Sequence, residues 1–428
     1  MAGLSAAGLL AACGTNAKDA GGKKGSAKSG TLNVWGGVPP ENGPTQMFDE
    51  FMKKYPDIKV NYRRFVNDDP GNLKVDTSLQ GGVDIDIVVS YALAPVTKRV
   101  EAGLFLDLTD RIAAEPAFKK FAPGDHASNY VFDGKVYTIP AAATPSLVML
   151  NQSMLDEKNI TVPDDWTVDD FRQICEQLSG DNVFGTFTTP DLARQTLGPD
   201  DLYQAGGKES NYDNPIFARS MQLHVDMIKD KTAMPETEIL AQKLDVYPQS
   251  VFLTGKVGML LNTAYLLRYI NDTKSYPHDF KTVIKPTPVP EKGKKYWDLG
   301  AYGDFLSITK KSQNQDAAWT LVKWWMTDGA QYMVQGGRLP SMSGMPGDAI
   351  MSALLGPDAD KLYDVDSAKS VILATGKKIP LDTIDTAAPE IATITTSLNQ
   401  SCLLGKMSVA DWAKKAKEQC DAAIKKDS

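Results

Sequence analysis

An alternation of short apolar runs with amphipathic stretches along residues 31 to 103 constrains this chain more than any other feature. TLNVWGG (31–37) is β-branched and apolar and ends in two glycines, the pattern of a buried strand feeding a loop. Met47, Phe48, Phe51 and Met52 then recur at helical spacing between Thr45 and Tyr55, and a second strand pattern covers 58–65. The unit is β-α-β, which connection rules resolve as parallel strands with a crossover helix. A third run, Ile85 to Val89, followed by a helical pattern near Val96 to Gly103, extends the scheme to a parallel sheet wrapped by helices. Ligands of such sheets sit outside the carboxyl ends of the strands, which directs attention to Trp35 through Asn42 and to Ser90 and Tyr91.

The scheme repeats farther along. DGKVYTIP (133–140) alternates like a hairpin strand, and PSLVMLN (145–151) is a near-continuous apolar strand. Thr167, with Asp170 three residues on, reads as an acidic capping box opening a helix through Phe171, Ile174 and Leu178. A strand over 257–262 then delivers Thr263, Ala264 and Tyr265, so a second α/β lobe is the simplest account. Trp319, Trp324 and Trp325 share helical spacing with Leu321, Val322 and Met326 and are expected to be core, as is Trp412 with Val409, Ala416 and Ile424.

Composition excludes several classes. The 428 residues suggest about two or three domains. Against 46 basic side chains stand 53 acidic ones, a net charge of −7 that disfavours nucleic acid as a partner. His126, His224 and His278 lie far apart, and no Walker loop, GxGxxG, HExxH or GxSxG motif occurs, so no metal, cofactor or nucleotide is expected. Cys175 falls on the helical pattern as a small core residue, while Cys402 and Cys420 are open to a disulfide or to two free thiols. MAGLSAAGLLAAC at the start is shorter than the roughly 20 residues a membrane span needs and reads as a secretion signal over 1–12. Leu10-Ala11-Ala12-Cys13 has the form of a lipobox, which makes Cys13 the expected lipidation site. No lysine or arginine precedes Cys13, so the basic start of such a signal is missing and the signal reads as truncated. Residues 14–30 are small and polar, a flexible tether with a mean span of roughly 20–25 Å. The expectation is a protein anchored on the extracellular face of the cell membrane, of the Gram-positive type rather than a periplasmic one.

The order TLNVWGG, DIDIVVS, AGLFLDLT, GKVYTIP, SLVMLNQSML, VPDDWTVDDF, FLTGKVGMLLN, FLSITKKSQNQDAAWTLVKWWMTDGAQ and GGRLPSMSG resembles the extracellular solute-binding proteins of family 1, which serve carbohydrate ABC importers. The resemblance implies a two-lobed α/β fold of the type II periplasmic-binding-protein kind, with hinged lobes and a ligand cleft between them. It divides the chain into one lobe of 31–141 with 303–340 and another of 142–302 with 341–428. It also implies a carbohydrate ligand, the transmembrane subunits of an ABC permease as partner, a monomer, and no catalysis.

Carried over by position, the resemblance nominates a set of ligand-binding residues. Trp35 ends the first strand, as a cleft residue or as a plug of the lobe; Glu41 and Asn42 follow in the next loop, as sugar-binding polar groups or as solvated ones. Ser90 and Tyr91 would line the same wall, and Thr144 stands where maltose-binding members carry an acidic residue. In the second lobe FTTPDLAR supplies Thr189 and Asp191, the latter open to a helix-capping role, and Asn262 precedes Tyr265, which takes the place of a stacking platform. Trp297, Tyr302 and Asp304 cluster in YWDLGAYGDF, and Arg338 in GGRLPS is a fixed bidentate donor or a hinge ion pair. These residue types suit a sugar, because a pyranose offers an apolar C–H face to an aromatic ring and a rim of hydroxyls to paired donors and acceptors. Carboxylates with aromatics also describe a glycoside hydrolase, although Asp84 and Asp86 look like a structural strand entry, and a lipoprotein sensor or adhesin would use the same fold.

Overall fold

The computed structural model describes residues 29–122, 130–180, 182–342 and 344–427. The signal and the lipobox cysteine, Cys13, lie outside the described residues. The described residues form strands β1 Gly30–Gly36, β2 Ile58–Arg64, β3 Ile87–Ser90, β4 Ile139–Thr144, β5 Ser146–Asn151, β6 Phe184–Thr186, β7 Val257–Thr263, β8 Thr282–Lys285 and β9 Ala301–Ile308. They assemble into two sheets, ordered β2-β1-β3-β9-β4 and β6-β7-β5-β8.

In the first sheet β1 is parallel to β2 and β3, as its β-α-β pattern requires. β9 is antiparallel to both β3 and β4, which corrects the expectation of a purely parallel sheet. It corrects it for a topological reason: β9 returns from the second sheet and enters from the opposite end. Helix α1, Pro44–Lys54, buries Met47, Phe48 and Phe51 against the sheet. Phe51 meets Trp324 edge-on at 5.4 Å and Phe48 meets Trp325 at 5.6 Å, so the tryptophans form core as the spacing predicts. Helix α2, Asp69–Gln80, and helix α3, Leu93–Glu101, cover the other face. The alternation over 133–140 yields only the first residues of β4, with Phe132 and Lys135 bridging around a tight turn.

In the second sheet β6 runs parallel to β7, and β5 is antiparallel to β7 and β8. The capping box forms: the Thr167 amide donates to Asp170 Oδ2 at 2.8 Å and the Asp170 amide to Thr167 Oγ1 at 3.2 Å. Cys175 is buried in this core as expected. Cys402 and Cys420 are both buried as free thiols beside Trp412, between the helices Ala388–Leu403 and Val409–Asp427, which resolves the open choice against a disulfide.

Three segments pass side by side between the sheets. Pro145 joins β4 directly to β5. β9 begins at Ala301, just after Gly300, where a Cβ would stand 2.2 Å from the Thr144 carbonyl oxygen. The third segment, 336–341, lies along β4: the Ala143 amide donates to the Leu339 carbonyl at 2.9 Å and the Ser341 amide to the Ala141 carbonyl at 3.1 Å. Within it Gly337 has φ +78, and a Cβ there would lie 2.3 Å from both the Ala264 carbonyl oxygen and Tyr265 Cα. Backbone atoms cannot yield as a flexible side chain does, so the segment can approach β7's carboxyl end only through glycine. Gly337→Ala is therefore expected to destabilise the protein by about 2 kcal/mol or more. Urea unfolding measures this, and a midpoint equal to wild type contradicts it.

Candidate functional site

The third crossing segment carries Arg338 into the space between the sheets. Its Nε lies 3.2 Å from Asp304 Oδ1, without the alignment of a hydrogen bond. The Asp304 side chain is 3% exposed and that of Arg338 18%, so this ion pair is largely desolvated. Asp304 holds φ +50 inside β9. That left-handed backbone costs a non-glycine residue about 1–2 kcal/mol. Asp304 itself pairs in neither register, and the flanking pairs of Gly303 with Ala142 and of Phe305 with Pro140 and Ser90 hold it in place. Burial pushes the Asp304 carboxyl upward, while Arg338 and Arg268 pull it back toward the charged form. Burial also works against the Arg338 charge, but Asp304 and the neighbouring tyrosines outweigh it and hold the guanidinium protonated.

Aromatic rings from both sheets converge on Arg338. Its guanidinium carbon stands 5.8 Å from the ring centre of Tyr91, just past β3, and 5.7 Å from that of Tyr265, just past β7. Arg268 continues the series, 5.7 Å from Tyr265 and 4.7 Å from Tyr269, with its Nη2 donating to Tyr269 Oη at 2.9 Å. Tyrosine and arginine thus alternate from one sheet to the other: Tyr91, Arg338, Tyr265, Arg268, Tyr269. Tyr91 is fixed by the Gly37 amide, which donates to its hydroxyl at 2.5 Å, and burial keeps that hydroxyl protonated. Tyr62 on β2 donates to the Val38 carbonyl at 2.7 Å and steadies the same loop. Asn262 keeps its side chain local, with Oδ1 accepting from the Thr263 amide at 2.9 Å beside Tyr265.

Of the residues nominated from sequence, Tyr91, Tyr265, Asp304 and Arg338 meet here, with Asn262 adjacent. Others are elsewhere. Trp35 is buried against Phe65, Val75 and Leu79 with Arg63 4.7 Å above its ring, the lobe plug rather than a cleft wall. Ser90 turns inward and accepts from Arg99 Nη1 at 2.8 Å, inside a buried network with Asp76. Glu41 opens onto a shallow depression along α1 with Asp49, Glu50 and Lys53, while the Asn42 carbonyl abuts Gly336. Thr144 is a buried crossing residue at the end of β4. Tyr302 packs beside Val96, Phe305 and Leu381. Trp297 lies against Gly198 in the second lobe under Lys378, with its amide donating to the Gln195 carbonyl at 2.9 Å. Asp191 caps the helix Leu192–Leu197 through the Arg194 amide at 3.0 Å, the alternative its sequence left open. It and Thr189 line a separate second-lobe cavity of about 320 Å³ with Asp201, Tyr212, His224 and Trp412.

Tyr62, Arg268 and Tyr269 escaped the sequence reading. For Arg268 and Tyr269 a signal existed: they stand three and four residues after Tyr265, one helical face continuing from the end of β7. Tyr62 carried none, since its role comes from pairing with Val34 on the neighbouring strand.

Comparison with known proteins follows the same lines. The model of the bacterial extracellular solute-binding protein family matches residues 39–332. A maltotriose-binding protein of Pyrococcus abyssi is 24% identical over 314 residues, 70% of this chain and 63% of that protein, so the match spans less than two thirds of that relative's length. A binding protein of Brucella abortus is 24% identical over 413 residues, 89% of this chain and 90% of its own. Among solved structures, an ABC substrate-binding protein of Listeria monocytogenes in complex with cycloalternan superposes with a TM-score of 0.76 at 18% identity, covering 93% of this chain and 99% of that one. The GacH receptor of Streptomyces glaucescens gives 0.71 at 18% identity, with 93% and 99% covered. These likenesses establish a two-sheet α/β fold shared with solute-binding proteins.

Asp304→Asn leaves Arg338 a buried cation without its counter-charge and is expected to cost about 3–5 kcal/mol in chemical unfolding. Asp304→Asn combined with Arg338→Met should recover part of the loss; a single variant as stable as wild type contradicts the pairing. In the second-lobe cavity, burial lowers His224 from its ordinary value to about 4, and its Nε2 has no partner among the described residues. A depressed histidine gives stability that is complete above about pH 6.5 and is lost as pH falls toward 4. Asp201, raised to about 6 chiefly by burial, works oppositely over part of that window, so comparison with a variant isolates His224. His224→Leu should remove about 2–3 kcal/mol of the acid-side loss between pH 7 and 4.5, and parallel stability curves contradict this.

Proposed function

The chain belongs to the bacterial extracellular solute-binding protein family, and from that premise we propose that it is the substrate-binding component of a carbohydrate ABC importer, capturing a sugar or oligosaccharide and delivering it to the permease. One observation carries the placement of the ligand. Tyr91 beyond the first sheet and Tyr265 beyond the second face the same guanidinium at 5.8 and 5.7 Å, so a ligand resting there touches both lobes at once. Relatives in complex with or named for saccharides, among them the maltotriose-binding and cycloalternan-bound proteins, support the ligand class.

Capture of this kind is a binding problem. A micromolar ligand requires about −8 kcal/mol net, within reach of a few stacked faces and a hydrogen-bond rim. Shifting the lobes from 99:1 open to 99:1 closed takes about 5.5 kcal/mol of preference for the closed form, which only contacts from both sides can provide. In this reading the lobes are those delimited from sequence, the three side-by-side segments serve as hinge, and the closed monomer docks on the permease. The ligand leaves chemically unchanged. Cys13, lipidated, and the tether behind it hold the protein at the outer membrane surface.

Calorimetric titration against an oligosaccharide panel, with chromatography of the recovered sugar, tests the function. Binding without product is expected, and turnover or silence across the panel contradicts it. Tyr265→Leu retains apolar packing and removes the ring; it should cost about 1–3 kcal/mol of sugar affinity. Affinity equal to wild type would mean the ring contributes only to packing.

A further inference from the structure

The polarity of this site narrows its ligand, and we infer that the saccharide it holds is anionic, with its carboxylate or sulfate group taken by the N–H edges of Arg338 and Arg268. The inference rests on the solute-binding reading above and adds a ligand charge to it.

Donor count is the first ground. Arg338 Nε is buried without a hydrogen-bond partner, and so are Nε and Nη1 of Arg268. Among the described residues Arg338 makes no hydrogen bond through its side chain, its only polar contact being the unaligned ion pair with Asp304. Buried donors on charged groups are costly to leave unmet, because removal from water takes away what folding does not replace.

Charge balance is the second ground. Two guanidinium groups face one carboxylate, Asp304, which both of them pull toward ionisation. The cluster therefore carries one net positive charge, and Arg64, whose field also reaches Tyr62 beside this cluster, adds to the same sign. A neutral sugar would satisfy hydroxyl partners and still leave that charge desolvated when water is expelled. An oxyanion removes it.

Geometry is the third ground. Tyrosine rings flank both guanidinium groups, Tyr91 and Tyr265 around Arg338, Tyr265 and Tyr269 around Arg268. The rings stand 4.7–5.8 Å from the guanidinium carbons, and Tyr269 takes only Arg268 Nη2, through its hydroxyl. A guanidinium N–H edge left unpaired matches a carboxylate or sulfate with two parallel N–H···O bonds. Lysine would present a point charge instead, without this selection for a planar partner.

Calorimetry on the full chain decides the matter with four probes: trigalacturonate, its fully methylated ester, the carboxylate-free disaccharide neocarrabiose sulfate, and maltotriose. The expected result is an acidic probe bound at least tenfold more tightly than both the ester and maltotriose, with a preference that weakens as sodium chloride rises. Whichever acid wins identifies the anion as carboxylate or sulfate. Arg268→Met, which leaves the Arg338–Asp304 pair intact and so avoids a folding defect, should bring acid and ester to within about threefold of each other; Arg338→Lys should do so in part. Ester or maltotriose binding as tightly as either acid overturns the anionic inference and leaves the solute-binding reading standing. Failure of all four probes overturns both.

Discussion

The desolvated pair of Arg338 and Asp304 is the constraint around which this molecule is arranged. It joins two of the segments that travel between the sheets, β9 and the stretch 336–341. A buried ion pair adds little net stability, because the cost of desolvation roughly offsets the attraction. What it fixes is geometry. Arg338 can neither turn outward without abandoning a buried carboxylate nor slide along the segment, since Gly337 is locked against the backbone of Ala264 and Tyr265. Asp304 accepts a left-handed backbone within a strand for the same arrangement.

From that fixed point the aromatic residues gain their meaning. Tyr91 and Tyr265 stand at the carboxyl ends of strands in different sheets, where open α/β sheets place ligand-binding loops. The shared arginine ties their positions to one another, so any rotation of one lobe against the other changes the spacing around a charged group. The second-lobe cavity at Tyr212 and Trp412 has no such tie, since no residue of the first sheet or its loops lines it.

Sequence periodicity was sufficient for most of the strands and for the core tryptophans, because apolar spacing responds to burial and burial dominates folding. It misled wherever a side chain's direction mattered more than its position. Trp35 lies in a central strand covered by helices on both faces, so alternation cannot distinguish inside from cleft, and the residue went to the core. Ser90 precedes a loop as a ligand residue would, yet Arg99, one helix later, claims its hydroxyl. β9 escaped the parallel pattern because its place between β3 and β4 depends on a chain that leaves one sheet and returns, which no local window contains. The meeting of residues 304 and 338 was likewise non-local; each was legible as a candidate, and their pairing was not. Tyr265, Arg268 and Tyr269 stood in one short stretch at helical spacing and were legible together, although only the first was recognised.

A crystal structure of the chain with a bound saccharide tests the two-sided grip most directly. The account predicts a ligand in contact with Tyr91 and Tyr265 together and within hydrogen-bond distance of Arg338. A saccharide lodged in the second-lobe cavity beside Tyr212 and Trp412, or touching one sheet's loops alone, would contradict it.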